Sequence, residues 1–266
     1  MENLRPGGLI NDSEPQKLAA ALREVWALRQ AVVAFGFRDL KVRYVHTKLG
    51  WIWLMLPLVL LMAPIALLSI KTEFQIQSLH LTKLLTILGG HILSSGMVQQ
   101  TASIWVNQKP FLNKINLPVL FLPASRLVVV IPEWSMYSLI ALLGGILAEG
   151  ADGIKYFYVI QIFMLFGLGL GLLICTLSHR YRDVLHALPL LLQFQLVVVV
   201  IQLAGLGPSG DVMCLLLAYP PFFLVDTVIS DASLVNYCIA TVIVFALFYL
   251  SLALYSKYAK NALERV

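Results

Sequence analysis

The chain has 266 residues, of which 59% are hydrophobic and only 12% charged, and its formal net charge is +5 at pH 7. Soluble domains carry charge on about a quarter of their residues, so this composition excludes a water-soluble enzyme and describes a membrane protein. The positive excess asks for no nucleic acid, because anionic headgroups attract each basic residue beside a membrane span by about 1 kcal/mol.

Residues 1–16 are polar and read as a flexible N-terminal segment. No cleavable leader is expected, since the first long apolar run begins only at Trp51. The stretch KLAAALREVWALRQAVVAF has helical periodicity: Leu18, Leu22, Val25, Trp26, Val32 and Val33 share one arc at 100° per residue. Residues 17–48 are therefore read as an amphipathic helix at the membrane interface, either a plain anchor or a moving element. Arg29 intrudes on the apolar arc, where it snorkels or meets a partner. Arg38, Lys41, Arg43, His46 and Lys48 then crowd against a stretch with no charge before Lys71.

Six segments are long enough to cross roughly 30 Å of hydrocarbon at about 20 residues each: 51–70, 84–106, 127–148, 156–178, 184–206 and 234–256. A helix satisfies its own backbone in lipid. The expected fold is accordingly an all-α membrane protein, with six transmembrane helices within 49–256 and a tail at 257–266. With both termini on one side, sixteen Lys and Arg fall on that side and three, Lys71, Lys83 and Lys155, on the other. This imbalance predicts cytoplasmic termini.

The second segment carries His91, Ser95, Gln99 and Ser103 at intervals of four, continuing to Asn107, with Ser94, Gln100 and Thr101 widening the row. So much polar surface must face protein or water. It either lines a conduit or glues helices together. Glu133 is the only acidic residue inside any of the six segments, and it follows Pro132, which can kink a helix. An intramembrane carboxylate is a functional candidate by default; the competing reading is a structural Glu paired with a helix neighbour such as His91. Gly167 and Gly171 have the GxxxG spacing that lets helices approach closely. Residues 207–233 contain VMCLLLAYPPFFLV, too short to cross, and read as a re-entrant or interfacial pair of helices broken at Pro220 and Pro221.

Cys175, Cys214 and Cys238 show no CxxC spacing and read as buried inert thiols. The sequence contains no GxxxxGK[ST], HExxH or GxSxG and no Cys/His metal spacing. No catalytic residue, metal or cofactor is therefore expected on this chain, and active transport would need another subunit to supply the energy.

RDLKVRYVHTKLGWIWLMLPLVLLM resembles the opening segment of the membrane subunits of type-2 ABC exporters for lipid-linked polysaccharides. WVNQKPFLNKINLPVLFLP, LSHRYRDVLHALPLLLQF and YPPFFLVDTV are similar to further stretches of that family, and the likeness covers roughly residues 30–256. The first motif and the fourth, YPPFFLVDTV, look closer to the O-antigen branch than to the capsule branch. The family has an Asn-Pro before the last span where this chain has Tyr219-Pro220.

The resemblance implies a homodimer bound to two copies of a separate nucleotide-binding subunit, which would hold ATP and Mg. It implies export of an undecaprenyl-linked glycan across the bacterial inner membrane. On this reading the segment before Trp51 is a gate helix, and Arg38, Lys41 and Arg43, with Tyr44 and Trp51, meet the lipid-linked substrate at its cytoplasmic opening. Asn107, Lys109 and Lys114, with Arg29, would couple to the ATPase. His91, Ser95, Gln99, Ser103 and Glu133 would line the path. A capsule or teichoic acid exporter is the close alternative. A membrane enzyme acting on polyprenyl-linked sugars through Glu133 and His91 is the distant one, and a secondary transporter is disfavoured by the lack of a visible inverted repeat.

Overall fold

The computed structural model describes residues 18–44, 47–48, 50, 52–71, 81–107, 118, 120–178, 181–203 and 234–264. The segment 1–16, Trp51, Lys109, Lys114 and the expected re-entrant stretch 207–233 lie outside the described residues. Among the described residues the chain is helical, with no strand. The helices are α1 (Leu18–Ala27), α2 (Arg29–Tyr44), α3 (Ile52–Lys71), α4 (Leu81–Ala102), α5 (Phe121–Glu149), α6 (Ile154–Ser178), α7 (Asp183–Leu203) and α8 (Leu234–Glu264).

Four stretches among the described residues are long and apolar enough to cross a membrane: Leu81–Ala102, Phe121–Ser178, Asp183–Val200 and Tyr237–Tyr258. The second is the α5–α6 hairpin, folded back through a short 3-10 turn at Gly150–Gly153. Gly150 takes φ +65°, a left-handed conformation that costs glycine little, and the backbones of Gly145 and Gly153 touch at the bend. Lys155 closes the hairpin with a 2.6 Å ion pair to Glu149, which also receives the Tyr156 hydroxyl.

α4 is the hub. Thr82 Oγ1 donates to the Gly144 carbonyl at 3.1 Å, Gly89 faces Tyr137 and Gly96 faces Glu133, so α4 and α5 run antiparallel. Against α6 the contacts advance in the same direction on both helices: Gly90 on Phe163, Gly167 on Ser94, and Gly171 on Val98 and Thr101. Tyr158 and Thr241 hydroxyls meet at 2.6 Å and Gly169 abuts Phe248, which makes α8 parallel to α6. Val98 and Ala102 cluster with Leu188 and Leu192 of α7, while His91 reaches the Leu192 backbone, so α7 runs against α4. Lipid tails are as apolar as Leu, so burying side chains between such helices rests on close packing rather than on escape from water. That is why Gly167 and Gly171 sit where α6 meets α4. Leu190 and Phe194 of α7 and Val242 and Phe245 of α8 are exposed, apolar surface of the kind that lipid covers.

The N-terminal segment forms two helices, α1 and α2, where the sequence reading has one. It bends at Leu28, whose amide reaches the carbonyls of both Glu24 and Val25. Val32 of the expected arc packs with Gly36 and Leu40 and Val25 is half-buried, while Leu22, Trp26 and Val33 of the arc are exposed, as an interfacial face would be. The packing centres on Gly36, the one position on α2 without a side chain to hold α5 away, where Val128 and the Ser125 carbonyl press in. Arg126, expected in the loop 107–126, lies inside α5 and is buried, because α5 starts six residues before the apolar segment begins.

A Cβ at Gly167 would stand 2.7 Å from the Ser94 carbonyl oxygen, a backbone atom that cannot turn away, whereas one at Gly96 would meet only Glu133 Oε2 at 3.6 Å. Gly167→Ala is therefore expected to cost about 1–3 kcal/mol by overpacking, and Gly96→Ala to be near neutral. Thermal unfolding of the purified variants checks this; equal melting temperatures would refute the α4–α6 contact.

Candidate functional site

The site forms where α2 lies along the first half of α5. Phe35 meets the edge of Phe121 with ring centroids 5.7 Å apart, Gly36 rests on Val128, Asp39 reaches Arg126, and Arg43 and Tyr44 reach Glu133. The contacts move forward together on both helices. Glu133 lies twelve residues beyond Phe121, so α2 carries its basic end about 18 Å up α5 at 1.5 Å per residue.

Two ion pairs of opposite sense join the helices. Asp39 Oδ2 accepts from Arg126 Nη2 at 2.9 Å, with side-chain exposures of 17% and 10%. Four residues on, the signs reverse: Arg43 Nη1 stands 3.5 Å from Glu133 Oε1, with exposures of 39% and 18%. Their strengths differ accordingly. Breaking a well-buried pair leaves an uncompensated charge and costs about 3–5 kcal/mol, while a long, half-exposed pair is worth about 0–1 kcal/mol. The first pair fixes α2, and the second can let go. Arg38 braces the fixed pair, bonding the other Asp39 oxygen at 2.7 Å and lying 4.1 Å over the Phe35 ring.

Beyond Glu133 opens a partly enclosed cavity of roughly 310 Å³ between α2, α3, α4 and α5. Arg43 and Glu133 stand on its wall with Ser95, Gln99 and Gln100 of α4 and Trp53 of α3. Ser95 Oγ donates to the Ile92 carbonyl at 3.0 Å, so what it offers the cavity is an acceptor. Gln99 is exposed, and Gln100 Oε1 is buried with no hydrogen-bond partner among the described residues. The Tyr44 hydroxyl lies 3.5 Å from Glu133. Burial foremost, and then the Glu133 carboxylate, raise the Tyr44 phenol above its ordinary pKa, so it stays protonated and can donate.

The residues singled out from sequence thus separate. Arg43, Tyr44, Ser95, Gln99 and Glu133 come together at or beside the cavity. His91 is buried with its Nδ1 unpartnered among the described residues and faces α7, away from Glu133. Ser103 lies past the cavity, its hydroxyl donating to the Gln99 carbonyl at 3.0 Å and accepting from Asn107 Nδ2 at 3.0 Å. Arg38 turns to Asp39, Lys41 is exposed, and Arg29 is exposed with its guanidinium 5.7 Å over the Trp26 ring. Asp39, Arg126, Trp53 and Tyr137 were not singled out. The signal for the first two is the alternation of charge four residues apart on α2 (Asp39, Arg43) and seven apart on α5 (Arg126, Glu133), each spacing returning to one helix face.

Among the described residues, no three His, Cys, Asp or Glu gather to hold a metal ion. No protein-family model matches the chain, and no curated protein matches it at a significant level.

Removing Asp39 leaves Arg126 buried and unpaired, whereas removing Arg126 leaves Asp39 its bond to Arg38. Asp39→Asn is expected to lower stability by about 3 kcal/mol and Arg126→Gln by less, both exceeding Arg43→Gln at under about 1 kcal/mol. Denaturant titration of the three variants in detergent gives the order, and an equal loss for all three would remove the distinction between the pairs.

Proposed function

We propose that this chain is the membrane permease of an ATP-driven type-2 ABC exporter, moving an undecaprenyl-linked polysaccharide of the O-antigen kind across the bacterial inner membrane. The observation that carries the reading is the α4 surface on the cavity, where Ser95, Gln99 and Gln100 give an uncharged polar lining that ends at Arg43 and Glu133. A glycan offers many weak donors and acceptors and must slide without being trapped; hydroxyls and amides suit it, and a row of charges would not. The basic end suits the pyrophosphate that joins glycan to lipid, through charge-assisted hydrogen bonds.

The alternating directions of α4 to α8 support a serpentine of spans, with α3 (Ile52–Lys71) as the first of six. On this reading the termini are cytoplasmic, α2 is the gate, and the homodimer takes ATP hydrolysis from two nucleotide-binding partners, because the sequence has no phosphate loop of its own. The close alternative of capsule or teichoic acid shares every one of these features. The rival reading of a polyprenyl-sugar enzyme needs Glu133 and His91 at one centre. His91 instead turns to α7 while Glu133 meets Arg43.

Water-soluble maleimides should label Ser95→Cys and Gln99→Cys in at least one nucleotide state, and Gln99→Trp should slow glycan export while Val242→Trp, on the outer face of α8, leaves it unchanged. Cysteines silent in every state together with normal export by Gln99→Trp would exclude this cavity from the path. The purified chain alone should hydrolyse no ATP and the co-expressed complex should; turnover that stays with the isolated chain would overturn the reading.

A further inference from the structure

Glu133 stands where a ligand's anion would stand. The carboxylate paired with Arg43 among the described residues is Glu133, at 3.5 Å, long for an ion pair, and the Tyr44 hydroxyl lies equally far from the same oxygen. Both donors come from α2, which Asp39 and Arg126 already hold in place at 2.9 Å. The Arg43–Glu133 contact is thus not needed to dock the helix. The pair opens on a volume of roughly 310 Å³ whose wall mixes the Trp53 indole, the Gln99 and Gln100 carboxamides and the Ser95 hydroxyl with apolar Pro57 and Ile92, room and chemistry that a sugar phosphate can use. Arg43 is 39% exposed at the side chain, so it can turn from Glu133 to a ligand without leaving water.

We propose that Glu133 is an internal stand-in for phosphate: it occupies the Arg43 subsite when the cavity is empty and yields it to the phosphate of an incoming ligand. The inference rests on the exporter reading for the identity of that phosphate, which belongs to a prenyl-linked sugar. The chemistry of Arg43 would equally take the headgroup of an anionic phospholipid. The pyrophosphate linkage of a prenyl-linked sugar carries two charges and four non-bridging oxygens against the one charge and two oxygens of a carboxylate, so it displaces Glu133 even from partly screened surroundings, whereas a phospholipid phosphodiester only equals the carboxylate. Once the ligand moves on, Glu133 recaptures Arg43 and the subsite empties. Glu133 is in this sense a positioning and release residue. Its removal has the opposite sign from damage: binding becomes tighter and turnover slower.

The test measures binding of geranyl pyrophosphate to the purified chain in nanodiscs of zwitterionic lipid, with geraniol as the uncharged control and added phosphatidylglycerol as competitor. Against wild type, Glu133→Gln should bind the pyrophosphate about two- to fivefold more tightly, since a competitor worth up to about a factor of five is gone. Glu133→Asp should stay near wild type, and Arg43→Gln should lose the affinity. Geraniol should not respond to any of the changes. In the assembled exporter Glu133→Gln should slow glycan export despite the tighter binding. If phosphatidylglycerol competes at equal affinity, the phosphate that Glu133 stands in for is the bilayer's, and the assignment to a prenyl-linked sugar is overturned. Unchanged or weaker pyrophosphate binding by a folded Glu133→Gln would overturn the stand-in while leaving the exporter reading intact. Pyrophosphate bound by no variant at all would overturn both.

Discussion

A charge carried alongside an apolar helix must meet its opposite, and the seating of α2 on α5 follows from that requirement. Asp39 and Arg126 satisfy each other at 2.9 Å, with Arg38 completing the carboxylate's shell. That pair fixes both the rotation and the height of α2, because Gly36 one turn earlier leaves no freedom against Val128. With those set, Arg43 and Tyr44 can only arrive at Glu133, and the cavity acquires its polar end. An ion pair in low dielectric is poor evidence for stability gained. Its value here is in register, since the reversed order of charge along the two helices makes a slip of one turn bring like charges together.

α4 serves both halves of the molecule. On one side Ser94, Val98 and Thr101 take Gly167 and Gly171 of α6 at backbone distance, a contact that holds without any driving force from water. On the other Ser95, Gln99 and Gln100 face the cavity. The rigid seam lets the polar side stay open without collapsing, as α4 already has its packing partners elsewhere.

The sequence made the helices legible and left the site half hidden. Among the described residues all six apolar segments form helices, each starting within a few residues of its expected position except α5, which begins six residues early, and α8 continues to Glu264, eight residues past the expected end. Long apolar runs announce themselves by length alone. The polar row at intervals of four was visible as well, but an α-helix turns 400° in four residues, so each step drifts by 40°. Ser95 and Gln99 reach the cavity, while His91 has rotated toward α7 and Ser103 has passed beyond it. The interfacial arc of Leu18, Leu22, Val25, Trp26, Val32 and Val33 includes the buried Val32, but the close approach of α2 to α5 is made by Gly36, a residue that hydrophobic periodicity gives no weight. Arg126 enters the sequence reading only as one of the basic residues on the cytoplasmic side and Asp39 not at all, because their partnership spans 87 residues of chain and no local pattern reports it.

The most direct measurement is the pair of double-mutant cycles across the α2–α5 face, Asp39→Asn with Arg126→Gln and Arg43→Gln with Glu133→Gln, followed by chemical denaturation in detergent. Fixed anchor and exchangeable latch predict a coupling of about 1.5–3 kcal/mol for Asp39 and Arg126 and under about 1 kcal/mol for Arg43 and Glu133. Additive effects at Asp39 and Arg126, or a larger coupling at Arg43 and Glu133, would contradict it.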